Sequence, residues 1–257
     1  MHMIAQMAGS PKLAPRGGTR TSPAHASPHV VAAPAELLRE TMADRAYAAL
    51  RDLLIAGQVA PGDRLSAREL AVHFTMSPMP IRAAIERLVA DGALEVRPQS
   101  GARVPLMTRT RFVELRTIRV ALEGMAAEQA ALHVKPRELV AIRAHHERFR
   151  RAAKRLRPDV AVAIRANQRL HFAVYAAAHM PTLLTMIEGL WLQIGPVLNL
   201  DLRSSSKRLR ALAAHEHHAH FVDALERGDG VGARRALTGD IESAAAYILS
   251  LDHLPEA

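Results

Sequence analysis

The densest chemistry in this chain is four histidines within six residues: His215, His217, His218 and His220. Imidazoles titrate near neutral pH and bind divalent metals through either ring nitrogen. One reading of the cluster is therefore a metal-dependent, hydrolase-like enzyme. Against it, no nucleophile stands beside a base at a telling spacing, and most histidines clustered on a helix face solvent. The second group is arginine. Arg64, Arg68, Arg82, Arg97 and Arg103 fall within one short stretch, Pro61 to Val104. A guanidinium held in a DNA groove can donate two parallel hydrogen bonds to guanine or to phosphate. The formal net charge of +9 favours a polyanionic partner. That charge is spread along the chain. Residues 1–40 carry four basic and two acidic side chains, residues 41–107 eight and seven, and residues 108–257 carry 22 and 16. DNA binding must then rest on where individual arginines point.

Caps and turns outline the elements that would aim those arginines. From Thr41, apolar residues recur at helical spacing (Ala46, Tyr47, Leu50, Leu53, Leu54) until Gly57 stops the helix. Pro61–Leu65 is a turn that leads into a short extended piece. Ser66, with Glu69 three residues on, predicts a capping box for a helix over Ala67–Phe74. Thr75 and Met76 turn the chain, and Ser77 caps the next helix. Pro78 and Pro80 sit in its first turn, where no backbone hydrogen bond is lost. This helix runs to about Ala90 and ends at Asp91-Gly92, and two short strands follow around Gln99-Ser100-Gly101. Helix, tight turn, helix and hairpin in that order make a winged helix-turn-helix, which lays its second helix in the major groove.

From Thr108 onward the apolar period is helical throughout. Helices are predicted over 109–132, 136–155, 159–179, 181–199, 205–227 and 230–250. Pro136, Pro158 and Pro181 punctuate the starts, and Gly228 turns the chain between the last two. Broad apolar faces, abundant Ala and Leu, and only 4% aromatic residues fit a helical bundle. Residues 1–38, rich in Pro, Ala, Gly, Ser and Thr, predict a disordered tail. The expected architecture is mainly α. It comprises that tail, a winged helix-turn-helix with a small β-hairpin wing over 39–107, and an all-α bundle over 108–257. The chain has no cysteine, which excludes disulfides and thiolate metal sites. No stretch approaches the ~18 apolar residues of a membrane span, and no secretory signal is expected. A soluble, cytoplasmic protein without a membrane partner is the expectation.

Tyr47, Leu50, Arg51, Ile55, Gly57, Pro61, Gly62, Leu65, Leu70, Ala71, Ser77, Pro80, Arg82, Ala84, Leu88, Gly92, Gly101, Ala102 and Val104 form an ordered pattern. Over about 60 residues this pattern resembles the GntR family of bacterial transcription regulators. The resemblance implies roles. Arg68, near the start of the first helix of the pair, would meet DNA backbone or a base edge. Ser77, Met79 and Arg82 lie on the first turns of the recognition helix. Arg82 would grip guanine, worth roughly 1–3 kcal/mol of discrimination. Ser100 and Gly101, at the wing tip, would approach the minor groove or phosphates, glycine permitting close backbone approach. Many relatives carry an arginine directly after the capping serine. This chain has Pro78 and then Met79, so a base contact common in the family is missing. Arg51, Arg64 and Arg87 are expected to be solvated, and Arg97 and Arg103 flank the wing.

The helical half is similar to the FCD effector domain of the FadR-like GntR branch, through Ile118–Ala131, Asn167–Leu184 and His217–Asp229. That resemblance implies a divalent metal held in the bundle and a small carboxylate effector on or beside it. The implied ligands are Asn167, His171 and His218, with Asp240 standing where the family places its last histidine. Asn167 and His171, four residues apart, share a helix face. Such a set suits Zn²⁺, Ni²⁺ or Mn²⁺. Neutral Asn167 is a weak ligand, and Asp240 supplies the missing anion. His217 is the alternative to His218. Arg119, with Arg116 one turn earlier, is implied to face the effector; its competing partner is Glu123, four residues on. The expected protein is a repressor rather than an enzyme. It acts as a homodimer on palindromic double-stranded DNA. An effector-independent DNA binder is the other alternative, and the size of the bundle, residues 108–257, weighs against it.

Overall fold

The computed structural model describes residues 41–97, 101–155, 157–199 and 212–256. The expected tail, the wing residues 98–100 and the segment 200–211 lie outside the described residues. Glu40–Ala257 forms one compact unit, and everything below lies within it.

Helix α1 (Met42–Ile55) starts at a full capping box. The Thr41 hydroxyl accepts from Asp44 N–H at 3.1 Å, and the Asp44 carboxylate accepts from Thr41 N–H at 3.1 Å. Gly57, at φ +62°, ends it. Strand β1 (Arg64–Leu65), helix α2 (Ala67–His73), helix α3 (Pro78–Ala90) and strands β2 (Glu95–Arg97) and β3 (Gly101–Arg103) complete the head. The expected hairpin gains a third strand. The sheet order is β1-β3-β2, all antiparallel, with both Leu65 and Val96 opposite Ala102. The turn before β1 is pinned to the end of the wing. Gly62 N–H donates to the Val104 carbonyl at 2.9 Å, and Val104 N–H donates to the Asp63 carbonyl at 3.0 Å.

Two caps differ from expectation. Ser66 accepts from Glu69 N–H at 3.3 Å, but the reciprocal half of its box is absent. Ser77 occupies the N-cap of α3 yet makes no side-chain bond to the helix, and Pro80, at the third helical position, has no N–H to offer it. The head core is built from Ala46, Leu50 and Leu54 of α1 against Ile81, Ala84 and Leu88 of α3, closed by Leu94 and Val104. Each full burial of a large side chain stabilises by ~1.5–3 kcal/mol.

The bundle comprises α4 (Arg109–His133), α5 (Pro136–Ala153), α6 (Val160–Ala177), α7 (Pro181–Leu198), α8 (Leu212–Arg227) and α9 (Gly230–Ser250). Pro136 and Pro181 take the first positions of α5 and α7. Asp159 caps α6 and Asp229 caps α9, each through its carboxylate to a backbone N–H three residues on. Helix α4 packs chiefly on α9, α9 on α8, and α5 on α6.

The head bears on the bundle where α1 meets α7. Gly195 makes this approach possible. A Cβ there would lie 2.7 Å from both Ile55 Cα and the Leu54 carbonyl oxygen. One turn later the Asn199 amide donates to the Ile55 carbonyl at 3.4 Å.

Candidate functional site

Three helices bring His171 (α6), His218 (α8) and Asp240 (α9) to one point in the bundle. One ligand atom from each lies within 4.8 Å of the others. His171 Nε2 is 3.4 Å from Asp240 Oδ2, and His218 Nε2 is 3.4 Å from Asp240 Oδ1. The two imidazole rings stand 5.3 Å apart. Both histidines are buried, at 1% and 0% exposure. His171 Nε2 and both nitrogens of His218 have no hydrogen-bond partner. The two nitrogens facing Asp240 are therefore close to it without the geometry of a bond. Burial works against the Asp240 charge, but His218 and then His171 hold its carboxyl well below the ordinary carboxylate range. Burial pushes the His218 imidazole down, and Asp240 opposes this without cancelling it. Asn167 stands one turn before His171, half-buried, its side chain without a hydrogen bond among the described residues. His217 is not in this group. It packs over Gly239, where a Cβ would lie 2.6 Å from its Cε1.

A second polar layer backs His171. The buried Glu123 carboxylate accepts from Arg119 Nε at 2.5 Å, from Arg119 Nη2 at 3.2 Å and from the Trp191 indole at 3.1 Å. The Tyr175 hydroxyl also donates to Glu123, and it lies 2.9 Å from His171 Nδ1. Burial, then the Glu123 charge, pushes the Tyr175 phenol well above its ordinary range. Arg119 is 4% exposed and lies over the Trp191 ring at 5.0 Å. Of the two partners expected for Arg119, the structure forms the internal one. Arg116 is paired more loosely, with Glu242 at 3.3 Å, and its buried Nε has no partner. Sequence reasoning missed Tyr175 and Trp191. Tyr175 carried a signal, since it extends the Asn167–His171 face by one more turn.

The DNA-reading candidates lie on the opposite kind of surface. Arg68, Ser77, Met79, Arg82 and Gly101 are all exposed, Met79 at 70%. Ser100 lies outside the described residues. Among the described residues the side chains of Arg68 and Arg82 form no ion pair and no hydrogen bond. Two arginines expected to be solvated also form contacts, Arg87 while remaining exposed and Arg51 half-buried. Arg87 pairs with Asp44 at 3.4 Å and stacks on Tyr47 at 3.9 Å. Arg51 pairs with Asp52 at 3.3 Å and reaches Glu188 of α7 at 3.9 Å. Arg97 and Arg103 both lean on Glu95, at 2.9 and 3.4 Å.

A winged helix-turn-helix carrying uncommitted arginines, set against a helical bundle with a buried polar pocket, defines a DNA-binding regulator. The comparisons agree. Residues 42–104 match the family described as bacterial regulatory proteins, gntR family, and residues 114–243 match the FCD domain. The chain is 32% identical over 189 residues to the HTH-type transcriptional regulator McbR of Escherichia coli K12, spanning 73% of this chain and 84% of that protein. It is 31% identical over 223 residues to a probable D-xylose utilization operon transcriptional repressor of Paenarthrobacter nicotinovorans, spanning 84% of this chain and 92% of that one. The solved structure of E. coli McbR/YncC aligns with a TM-score of 0.77 at 28% identity, covering 83% of this chain and 99% of that one. The chain belongs to the GntR family of bacterial transcriptional regulators, in the FadR-like branch with an FCD domain. The families and relatives are regulators, not enzymes, which sets aside a hydrolase reading of the histidines. No helix among the described residues is long and apolar enough to cross a membrane.

Proposed function

We propose that this regulator is a cytoplasmic repressor, a homodimer on a palindromic operator. A small carboxylate effector, bound in the bundle beside a divalent metal, would release it. The division of labour follows the expected boundaries: residues 39–107 read DNA, and residues 108–257 sense and dimerise. The observation that carries the metal is the convergence of His171 Nε2, His218 Nε2 and Asp240 in a buried space where the imidazole nitrogens lack partners. Buried polar atoms left unmatched are costly, and a cation between two imidazoles and a carboxylate removes that cost. Two imidazole nitrogens, a carboxylate and the Asn167 amide oxygen fit Zn²⁺, Ni²⁺ or Mn²⁺. When bound, the metal supplies a Lewis-acidic anchor for an anionic ligand.

Arg119 would offer an effector only the donors that Glu123 leaves, since Glu123 already takes its Nε and Nη2. Arg116, with an orphaned Nε, is the readier of the two to take a carboxylate. The name of the P. nicotinovorans relative supports the sign of regulation. Ile118 and Leu132, exposed apolar residues about four turns apart on one face of α4, support a partner subunit. At the DNA, Arg82, Ser77 and Met79 would enter the groove from α3, Met79 reading by contact with a thymine methyl. Arg68 and the wing tip at Ser100 and Gly101 would hold the backbone.

The test is elemental analysis of protein purified without a metal column, followed by thermal-shift screening against carboxylic acids with and without EDTA. Stabilisation by an acid that EDTA abolishes is the expected result. Metal content that His171→Ala leaves unchanged would overturn the metal site.

A further inference from the structure

The buried layer behind His171 is a directed chain of hydrogen bonds. Arg119 and Trp191 donate to Glu123, filling both carboxylate oxygens from one side. Tyr175 donates its only hydroxyl proton to the same carboxylate. Its oxygen, 2.9 Å from His171 Nδ1, can then only accept. The proton of that contact must come from the imidazole. In its neutral form His171 is therefore the Nδ1-protonated tautomer, with its lone pair on Nε2, the nitrogen that faces Asp240 at 3.4 Å. A neutral lone pair aimed at a carboxylate oxygen is repelled unless something positive lies between them. No comparable device serves His218, whose Nδ1 has no hydrogen-bond partner.

We infer that Tyr175 is a positioning residue that fixes the tautomer and ring orientation of His171 for ligation of a divalent cation through Nε2, with Glu123 fixing the direction of the Tyr175 hydroxyl. The inference rests on the metal reading above. Five of the participants come from three helices: Arg119 and Glu123 from α4, His171 and Tyr175 from α6, and Trp191 from α7. All are 4% exposed or less, so water cannot substitute for a missing bond without rearrangement. The Arg119–Glu123 pair gives the chain its polarity. Both oxygens of Glu123 already face donors, so its bond to Tyr175 does not reverse. Groups orienting a metal-bound imidazole change metal affinity by about 10–100-fold when removed.

The experiment uses full-length, tag-free protein stripped with chelator, with Co²⁺ as the probe. Tyr175→Phe keeps the ring and deletes only the hydroxyl. It should weaken Co²⁺ binding by about 10–100-fold, read by competition with a chromophoric chelator. Independently, nitrogen-15 spectra of the metal-free wild type at mildly alkaline pH should show His171 protonated at Nδ1 and bare at Nε2. In Tyr175→Phe the same ring should become a mixture of tautomers. A purely structural role for Tyr175 would lower thermal stability and leave both readouts unmoved. Wild-type protein that binds Co²⁺ while Tyr175→Phe binds it equally well overturns the positioning role and spares the metal site. Wild-type protein that binds no Co²⁺ overturns the metal reading and this inference with it. Should the variant fail to fold, the wild-type spectrum decides alone: a proton on His171 Nε2 overturns the assignment.

Discussion

Arg82, near the start of α3, and Arg119, midway along α4, are both helical arginines whose surroundings make opposite demands. Arg82 is exposed and uncommitted, so Arg82→Ala should abolish selective operator binding and leave the fold intact. Fluorescence anisotropy on an operator recovered by selection, set against scrambled duplex, checks this, and retained selectivity would refute it. Arg119 is buried against Glu123. Arg119→Ala leaves that carboxylate uncompensated in the interior, which costs about 3–5 kcal/mol. Urea melts should show a large loss of stability. A change of a few tenths would mean that Glu123 simply takes up a proton. The residues of the pocket were unequally legible. His171, His218 and Asp240 could be aligned by motif and register, and burial separates His218 from His217. Tyr175 and Trp191 could not be assigned, because each acts through Glu123, 52 and 68 residues away in sequence. Periodicity reports which face a residue occupies and is silent on which distant group it meets.

Elements with caps or long periods were legible, as were the short α2 and the two hairpin strands, but the pairing of β1 into their sheet was not. Prolines and apolar spacing located α3, α5, α7 and α9 within a residue or two, because helix starts have a chemistry of their own. Strand β1 has two residues and no period to read; the bonds from Gly62 and Val104 that create it are long-range. Helix α7 is a sharper case. It contains Pro196, which cannot donate a backbone hydrogen bond, beside Gly195, which lets α1 approach. Gly195→Ala should cost about 1–3 kcal/mol through overpacking against the Ile55 backbone. Gly189→Ala, in the same helix with nothing within 4 Å of a new Cβ, should be neutral or slightly stabilising. Paired denaturant midpoints test the contrast, and equal effects at the two positions would count against the close contact.

At the scale of the whole molecule, stability should depend on protons and on metal. Burial holds His218 below the ordinary imidazole range, and burial followed by the neighbouring His218 does the same to His146. Below about pH 6.5 the unfolded chain binds more protons than the folded one. This stabilisation is therefore present above that pH and is lost as pH falls through the folded values. Denaturant midpoints of EDTA-treated protein should drop between neutral and mildly acid solution, and a flat profile would contradict the burial of these imidazoles. Filling the proposed His171–His218–Asp240 site with metal at about 100 times its dissociation constant should add ~2.7 kcal/mol at neutral pH, seen as a raised melting temperature. The junction of head and bundle adds a mechanical consequence. Packed elements usually slip past one another by changing side-chain rotamers, and that slack absorbs small movements. Where Gly195 meets Ile55, backbone rests on backbone. The joint has little slack, so Gly195→Ala, which changes this contact without touching the pocket or the DNA-reading face, should alter how an effector changes operator affinity, and an unaltered response would show that this joint carries no signal.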